Sequence, residues 1–388
     1  MKILLIHVFK MFLKFVYFFL KLLPTNNKKI VFLSRQSDSI NIDFKMIGDE
    51  LLNRDSNLKL VFICKRMGSG IFGKIKYVFV LFRQMYHLAT SRVAVLDSYC
   101  IPVCILKHKK SLSVLQIWHS IGKIKKSGYQ TLDNPSGRDR KVAEIMCMHK
   151  NYDAIIAGAE AFDEFYEKGF NVKRDVLLHY GLPRIDYLIK NQDAIRDSIY
   201  AQYPEFKNKK IVLYAPTFRT YDVDSFERIA GNYDNKDFVL IVKSHQNQIL
   251  NFKDNKIYKC PKIKSIDLLT VVDYVITDYS SIALEAAVLN KKVLFYVYDY
   301  DKYMENNGLN IDFYKLLPKC SSKDIKKIFN MINNDEYDDK SYQKFRKKYL
   351  PKEMGSSTEK ICNYIIKELN RWFYEIYNNG WWKGDKVE

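Results

Sequence analysis

From residue 29 onward, short apolar runs rich in β-branched residues alternate with stretches whose apolar positions recur at helical spacing. Residues 30–33 precede a helical stretch near 44–52, and 58–64 precede one near 74–89. Runs at 93–96, 114–118 and 154–157 complete a first set. A second set begins at 211–214 and continues at 238–242, 274–277 and 293–296. Strands that are apolar throughout, rather than alternating, are buried on both faces, and helices between them imply parallel sheets. Two such sets in sequence predict two doubly wound domains whose ligands bind beyond the carboxyl ends of the strands. Residues 359–377 read as a long amphipathic helix.

The first residues follow another pattern. Residues 3–23 are almost wholly apolar, but Lys10, Lys14 and Lys21 interrupt them. A lysine near a bilayer centre costs about 2.5–3.5 kcal/mol, which argues against a spanning helix. At 100° per residue, His7, Lys10, Lys14 and Lys21 fall within about 60° of one another. That narrow polar stripe predicts an amphipathic helix lying in a membrane interface with its lysines toward lipid phosphates. The alternative is a helix packed on the protein's own core. A second basic and apolar segment, residues 74–87, is placed to join the same surface. A cleaved leader would need an uncharged central run and a small-residue cleavage site, and neither is present.

Composition narrows the partners. The 388 residues suffice for two domains with full cores, and the net charge of +19 favours an anionic ligand or surface. The lysines are scattered rather than gathered in one arm, which weighs against nucleic acid. Seven cysteines without a CxxC pair read as reduced thiols of a cytosolic protein. No GxGxxG or GxxxxGK[ST] motif appears, and no carboxylate cluster suggests a metal.

Five polar motifs follow expected strands. They are Gln116-Ile117-Trp118-His119-Ser120, Gly181-Leu182-Pro183-Arg184-Ile185-Asp186, Tyr214-Ala215-Pro216-Thr217-Phe218-Arg219, Lys243-Ser244-His245 and Asp278-Tyr279-Ser280-Ser281. Repeated placement at strand ends predicts one shared cleft holding two histidines, hydroxyls, an arginine, a lysine and a helix start. Such groups bind a pyrophosphate and assist proton transfer. Ser280 and Ser281 precede a helical run, so they either cap it or add hydroxyl donors to a phosphate site. Each polar residue carries a plainer alternative. His119 packs beside Trp118, His245 lies at a strand end, and Arg219 makes a surface ion pair. Asp278 either orients His245 or holds its turn by an Asx hydrogen bond, and Glu285 is either a ligand or an exposed helical residue.

These motifs, with residues 116–129 and 276–303 around them, resemble the CDP-glycerol glycerophosphotransferase family of teichoic-acid and related enzymes. They occur in family order across residues 30–315, and Tyr214–Arg219 together with Thr277–Ser281 is the specific pairing. The resemblance implies an α/β protein with two Rossmann-like domains in a GT-B arrangement, preceded by the N-terminal amphipathic helix. The expected boundaries are 1–27 for the helix, 28–183 for an acceptor domain, 184–350 for a CDP-donor domain and 351–388 for a C-terminal helical segment.

By the same resemblance His119 is the general base, and His245 a second histidine at the donor pyrophosphate. Thr217, Arg219, Ser280 and Ser281 are donor-phosphate contacts. Asp278, Glu285 and Arg184 support them, Glu285 toward a ribose and Arg184 at the domain junction. The implied reaction moves glycerol phosphate from CDP-glycerol to a lipid-linked saccharide or polyol-phosphate acceptor at the cytoplasmic membrane face, with CMP released and no cofactor or metal. CDP-ribitol is the nearest alternative donor, followed by a GT-B sugar transferase and a basic nucleic-acid-binding protein. Many relatives carry Trp-His-Gly-Thr-Pro where this chain has Trp118-His119-Ser120-Ile121-Gly122. A variant with Gly122, Lys125 or Lys126, Gly128 and Tyr129 fits better, and leaves polyol and acceptor specificity open.

Overall fold

A computed structural model describes residues 2–219, 224–234, 236–244 and 256–378. The first sheet contains β1 (Asn26–Ser34), β2 (Lys59–Cys64), β3 (Ser91–Leu96), β4 (Ser113–Gln116), β5 (Ala154–Ile156) and β6 (Leu177–Leu178), ordered β2-β1-β3-β4-β5-β6. The second contains β7 (Ile211–Tyr214), β8 (Val239–Val242), β9 (Ile257–Tyr258), β10 (Tyr274–Thr277), β11 (Lys292–Tyr296) and β12 (Ser321–Ser322), ordered β12-β11-β10-β7-β8-β9. Every named pair is parallel. β3, β4, β7, β8 and β10 are buried at every position, as their unbroken apolar runs require.

Strand order reverses once in each sheet, between β1 and β3 and between β7 and β10. Loops that leave such neighbours diverge to opposite faces and open a crevice at the strands' carboxyl ends. Arg35 and Tyr99 follow β1 and β3, while Thr217 and Asp278 follow β7 and β10. His119 follows β4, beside the first reversal.

The helix Pro183–Gln202 joins the domains, with proline in its first turn where the missing N–H costs nothing. The carboxylate of Asp186, buried in that helix, accepts from the Ser357 and Thr358 N–H groups at 3.0 and 2.7 Å and from Thr358 Oγ1 at 2.8 Å. This caps the C-terminal helix Ser357–Asn378, which returns to the first domain. Its Cys362 reaches the Ile47 carbonyl, and its Asn363 accepts from Arg54. All seven cysteines are free.

The N-terminal helix α1 (Lys2–Leu20) requires a correction to its orientation. Leu13 and Tyr17 are buried against the first domain, and Tyr17 hydroxyl bonds His108 Nδ1 at 2.8 Å. Lys10 lies on this inward side, donating to the Ile145 carbonyl and contacting Cys147 Sγ at 3.2 Å. Only His7 and Lys14 of the stripe are exposed. The stripe therefore faces the protein in part, because the Ile145 carbonyl satisfies Lys10 there. The outward face is apolar: Leu4, Leu5, Val8, Met11, Phe15 and Phe19 are exposed. Helix α3 (Gly70–Thr90) packs beside α1 through Phe12 and Phe82 and exposes Ile71, Phe72, Ile75 and Phe79.

Candidate active site

The turn after β4 is built around a strained residue. Trp118 has a φ of +62°, a region that costs a bulky residue about 1–3 kcal/mol. Gln116 holds it there: its Oε1 accepts the Trp118 N–H at 2.9 Å, and its amide donates to the Ser98 carbonyl at 3.1 Å. Gly122 has a φ of +71°, and a Cβ there would lie 2.1 Å from the Phe162 ring, so no other residue fits.

The turn places the His119 ring against Trp118, centroids 4.1 Å apart, with Nδ1 3.0 Å from the Asp97 carbonyl oxygen. A carbonyl only accepts, so Nδ1 carries the proton and Nε2 keeps its lone pair. Burial lowers the His119 pKa to about 4; the Asp97 carbonyl opposes this, and Arg184, Lys123 and Lys125 add to it. The imidazole is thus neutral at physiological pH. The Asp97 carboxyl, raised to about 6 by burial, accepts from Asn41 at 2.9 Å.

In the second domain Asp278 holds the crevice loops together. It accepts the Thr217 N–H at 2.9 and 3.1 Å, the Tyr279 N–H at 2.6 Å and Arg219 Nη2 at 2.8 Å. Arg219 also donates to Asp299 from Nε at 2.6 Å and Nη2 at 3.0 Å, and to the Thr217 carbonyl from Nη1 at 2.9 Å. Burial opposes its charge, but Asp278 and Asp299 outweigh that and raise its pKa. Arg219 is buried, so the surface ion pair is corrected to a buried one. Its fork points at carboxylates and orders the turn from behind.

Ser280 and Ser281 are half-buried at the start of the helix Ile282–Val288. Ser280 Oγ accepts only a long 3.4 Å contact from the Ile282 N–H, and Ser281 makes no side-chain cap bond. Thr217 Oγ1 is buried without a hydrogen-bond partner. Three hydroxyls thus surround the crevice with little internal use. Lys243 follows β8 and donates to the Cys260 carbonyl at 2.9 Å. His245 lies outside the described residues.

Arg184 joins the two halves. Its guanidinium forms an ion pair with Asp43, its N–H donates to Asp43 Oδ1 at 2.9 Å, and its Nη1 donates to Glu285 at 2.8 Å. Asp43 begins α2 (Ile42–Arg54) in the first domain, while Glu285 follows Ser281 by four residues. Glu285 is 8% exposed, so its reading as an exposed helical residue is corrected. Burial works against the Arg184 charge, but Asp43 and Glu285 raise its pKa.

Sequence reasoning missed how the loop after His119 crosses to the second domain. Asn310 N–H donates to the Ile124 carbonyl at 2.7 Å, its amide donates to the Lys123 and Lys125 carbonyls at 3.1 Å, and Lys125 bridges Leu309. The Lys125 amino group is thereby brought within electrostatic reach of Asp278 and Arg219. Burial lowers its pKa to about 8, Asp278 raising it and Arg219 lowering it. Its place in a Gly-Lys-Gly-Tyr-like run was the only sequence signal. Asp299 lay unassigned inside the 276–303 run, and Asn41 gave no signal.

The model of the CDP-glycerol:poly(glycerophosphate) glycerophosphotransferase family matches residues 15–367. A teichoic acid ribitol-phosphate primase of Bacillus spizizenii is 30% identical over 363 residues, 90% of this chain and 93% of the relative. A teichoic acid glycerol-phosphate primase of Bacillus subtilis is 29% identical over 295 residues, 74% of this chain and 76% of the relative. Among solved structures, a variant of the wall teichoic acid polymerase TagF superposes with a TM-score of 0.72 at 18% identity, covering 90% of this chain and 91% of that one.

Proposed function

The chain belongs to the CDP-glycerol:poly(glycerophosphate) glycerophosphotransferase family, and within it we propose that it transfers glycerol phosphate from CDP-glycerol to a hydroxyl of a lipid-linked acceptor in teichoic-acid synthesis. The observation that carries this reading is the pairing of a neutral, single-tautomer His119 with a hydroxyl-rich donor turn, joined through Arg184. The acceptor oxygen attacks the phosphorus bearing glycerol, and its proton passes to His119 Nε2. The bond from that phosphorus to the oxygen bridging to CMP breaks, and CMP departs with the electron pair. Such transfer is mostly positioning and charge stabilisation. Thr217, Ser280 and Ser281 offer hydroxyls to the pyrophosphate, Lys125 offers a cation from the facing loop, and Arg219 and Asp278 hold the turn. His245 is assigned to the same pyrophosphate.

The similarity to a ribitol-phosphate primase over nearly its whole length supports ribitol phosphate as a second reading of the transferred group. The apolar faces of α1 and α3 support docking on the cytoplasmic membrane surface, where a water-soluble CDP donor meets a lipid-anchored acceptor. Purified protein given CDP-glycerol or CDP-ribitol with lipid-linked acceptors tests the whole reading. CMP release matched by an acceptor gaining one glycerol phosphate is expected. Release matched only with CDP-ribitol transfers the assignment to ribitol, and release with neither overturns it.

A further inference from the structure

The main chain beyond His119 is held from the other domain. Four consecutive carbonyls, Lys123 to Lys126, accept hydrogen bonds from residues 307–311. Asn310 reaches three of them. Its main-chain N–H donates to Ile124 at 2.7 Å, and its side-chain amide donates to Lys123 and Lys125, both at 3.1 Å. The Ile311 N–H adds a bond to Ile124 at 3.2 Å, and the Asn307 amide reaches Lys126 at 3.4 Å. The Asn310 side-chain oxygen is used as well, accepting from Gln130 Nε2 at 2.6 Å. Gln130 in turn closes the loop on Ser127, whose hydroxyl accepts from buried Lys123 at 2.6 Å.

The gripping segment also touches the turn that carries Ser280. It follows the short helix Tyr300–Asn306. Asp299, just before that helix, accepts from Arg219, and Tyr303 within it stacks on Tyr279 with ring centres 4.0 Å apart. The Tyr303 carbonyl accepts from the Asn307 and Gly308 N–H groups at 2.9 and 3.3 Å, which ties the helix to the residues that follow. Residues 299–310 thus pack on the turn Asp278–Ser281 at one end and grip the His119 loop at the other.

Resting on the transferase reading above, we propose that Asn310 is a positioning residue of the transfer step, holding the loop from His119 to Lys125 in register with the turn Asp278–Ser281. The chemistry calls for a primary amide: two N–H donors for two carbonyls, and an oxygen for Gln130. Aspartate has the oxygen but no donor, and alanine has neither. The grip also fixes the surroundings of Lys125. Its amino group is drawn out of water, within reach of Asp278, which favours its charge, and of Arg219, which opposes it. A contact that served only to join the domains would leave the Lys125 charge untouched.

Asn310→Ala and Asn310→Asp in the full-length protein test this. Both keep the main-chain bond to Ile124 and lose the two side-chain donors. At saturating donor and acceptor, kcat should fall by about 10²-fold, since a displacement of about 1 Å suffices for that. The acceptor KM should change little. Asn310→Gln, which retains the amide on a longer stem, should recover part of the loss. A second readout needs no substrate: the rate at which an amine-acylating reagent labels Lys125, followed by peptide mass spectrometry across pH. Wild-type labelling should rise through about pH 8. Water reaching Lys125 in Asn310→Ala should move that midpoint up by about one unit, toward the ordinary lysine range. Ser136→Ala is the control. It removes bonds to the Asn306 carbonyl and Asn307 Oδ1, both 2.9 Å, elsewhere on the same domain contact. It should leave kcat and the labelling midpoint unchanged. Wild-type kcat in Asn310→Ala, or a fall in kcat with an unmoved Lys125 midpoint, overturns the inference. So does a Ser136→Ala variant that matches Asn310→Ala in both readouts. A wild type that transfers no polyol phosphate, with the midpoint displacement intact, counts against the transferase reading and leaves the grip on Lys125 standing.

Discussion

Nδ1 of His119 lies 3.0 Å from the main-chain oxygen of Asp97. The acceptor is a backbone atom, so no side-chain substitution at residue 97 removes it directly. The proton stays on Nδ1 and the lone pair on Nε2 at any pH where the ring is neutral. The Asp97 side chain serves a different end, tying the loop after β3 to Asn41 and so to the start of α2.

Replacement of the proposed base gives the first prediction. His119→Ala should reduce turnover by about 10²–10⁴-fold while CDP-glycerol binding survives, because the lost group acts on the acceptor proton. His119→Asn, which restores an Nδ-like donor without a base, should be equally slow. Near-normal turnover at saturating acceptor would remove His119 from the chemistry.

The pH profile separates two groups by the sign of their shifts. His119 must be neutral, and burial lowers its pKa to about 4. Activity should therefore fall on the acid side only as pH drops toward 4, well below the ordinary imidazole range. In the proposed role Lys125 meets the donor as a cation, and burial lowers its pKa to about 8. Donor affinity should thus decline as pH rises through 8, and Lys125→Arg should abolish that decline. An unchanged alkaline limb in Lys125→Arg would mean the limb belongs to another group.

The turns after β7 and β10 were legible because both strands are buried at every position and their apolar runs end there. The strands β6, β9 and β12 span two residues each, too few to make any pattern. Arg184 was placed at the domain junction from its motif, but its partners Asp43 and Glu285 lie 141 and 101 residues away. No local spacing encodes such a bridge. The helical wheel grouped Lys10 with Lys14 and Lys21, yet a wheel has no outside. The Ile145 carbonyl decided which way Lys10 turned.

That bridge is itself testable. Arg184→Ala would leave Asp43, 1% exposed, as an uncompensated buried carboxylate. Losing one partner of a buried pair typically costs about 3–5 kcal/mol. Thermal unfolding should show a clear fall in Tm. Glu285→Gln keeps shape and a hydrogen-bond acceptor, so it should spare stability and lower turnover through looser alignment of the domains. Wild-type kinetics in Glu285→Gln would confine the contact to a structural role.

Ser280→Ala combined with Ser281→Ala should weaken CDP-glycerol binding. Neither hydroxyl is committed to a strong cap bond, and a hydrogen bond to a charged group is worth about 1.5–3 kcal/mol. Because the helix start makes little use of these side chains, Tm should barely move. A large fall in Tm with donor affinity intact would return both serines to capping.

The corrected orientation of α1 changes how membrane docking is tested. Charge reversal at Lys10 would attack the contact with Ile145 and Cys147 and so disturb the fold, not the lipid contact. The outward rings are the informative targets: Phe15 is 65% exposed on α1, and Phe72 and Phe79 are 78% and 72% exposed on α3. Immersing a phenylalanine side chain contributes about 1.5–3 kcal/mol when complete, so each ring changed to Ser should weaken vesicle binding about tenfold. The α1 and α3 substitutions should add, because the two helices form one face through Phe12 and Phe82. Lys14→Glu should cost only about 1 kcal/mol and only on anionic vesicles. Transfer to membrane-embedded acceptor should fall in step with binding, while transfer to a short soluble acceptor should persist. Vesicle binding by the triple Ser variant equal to that of the wild type would assign this apolar face to a protein partner instead of a bilayer.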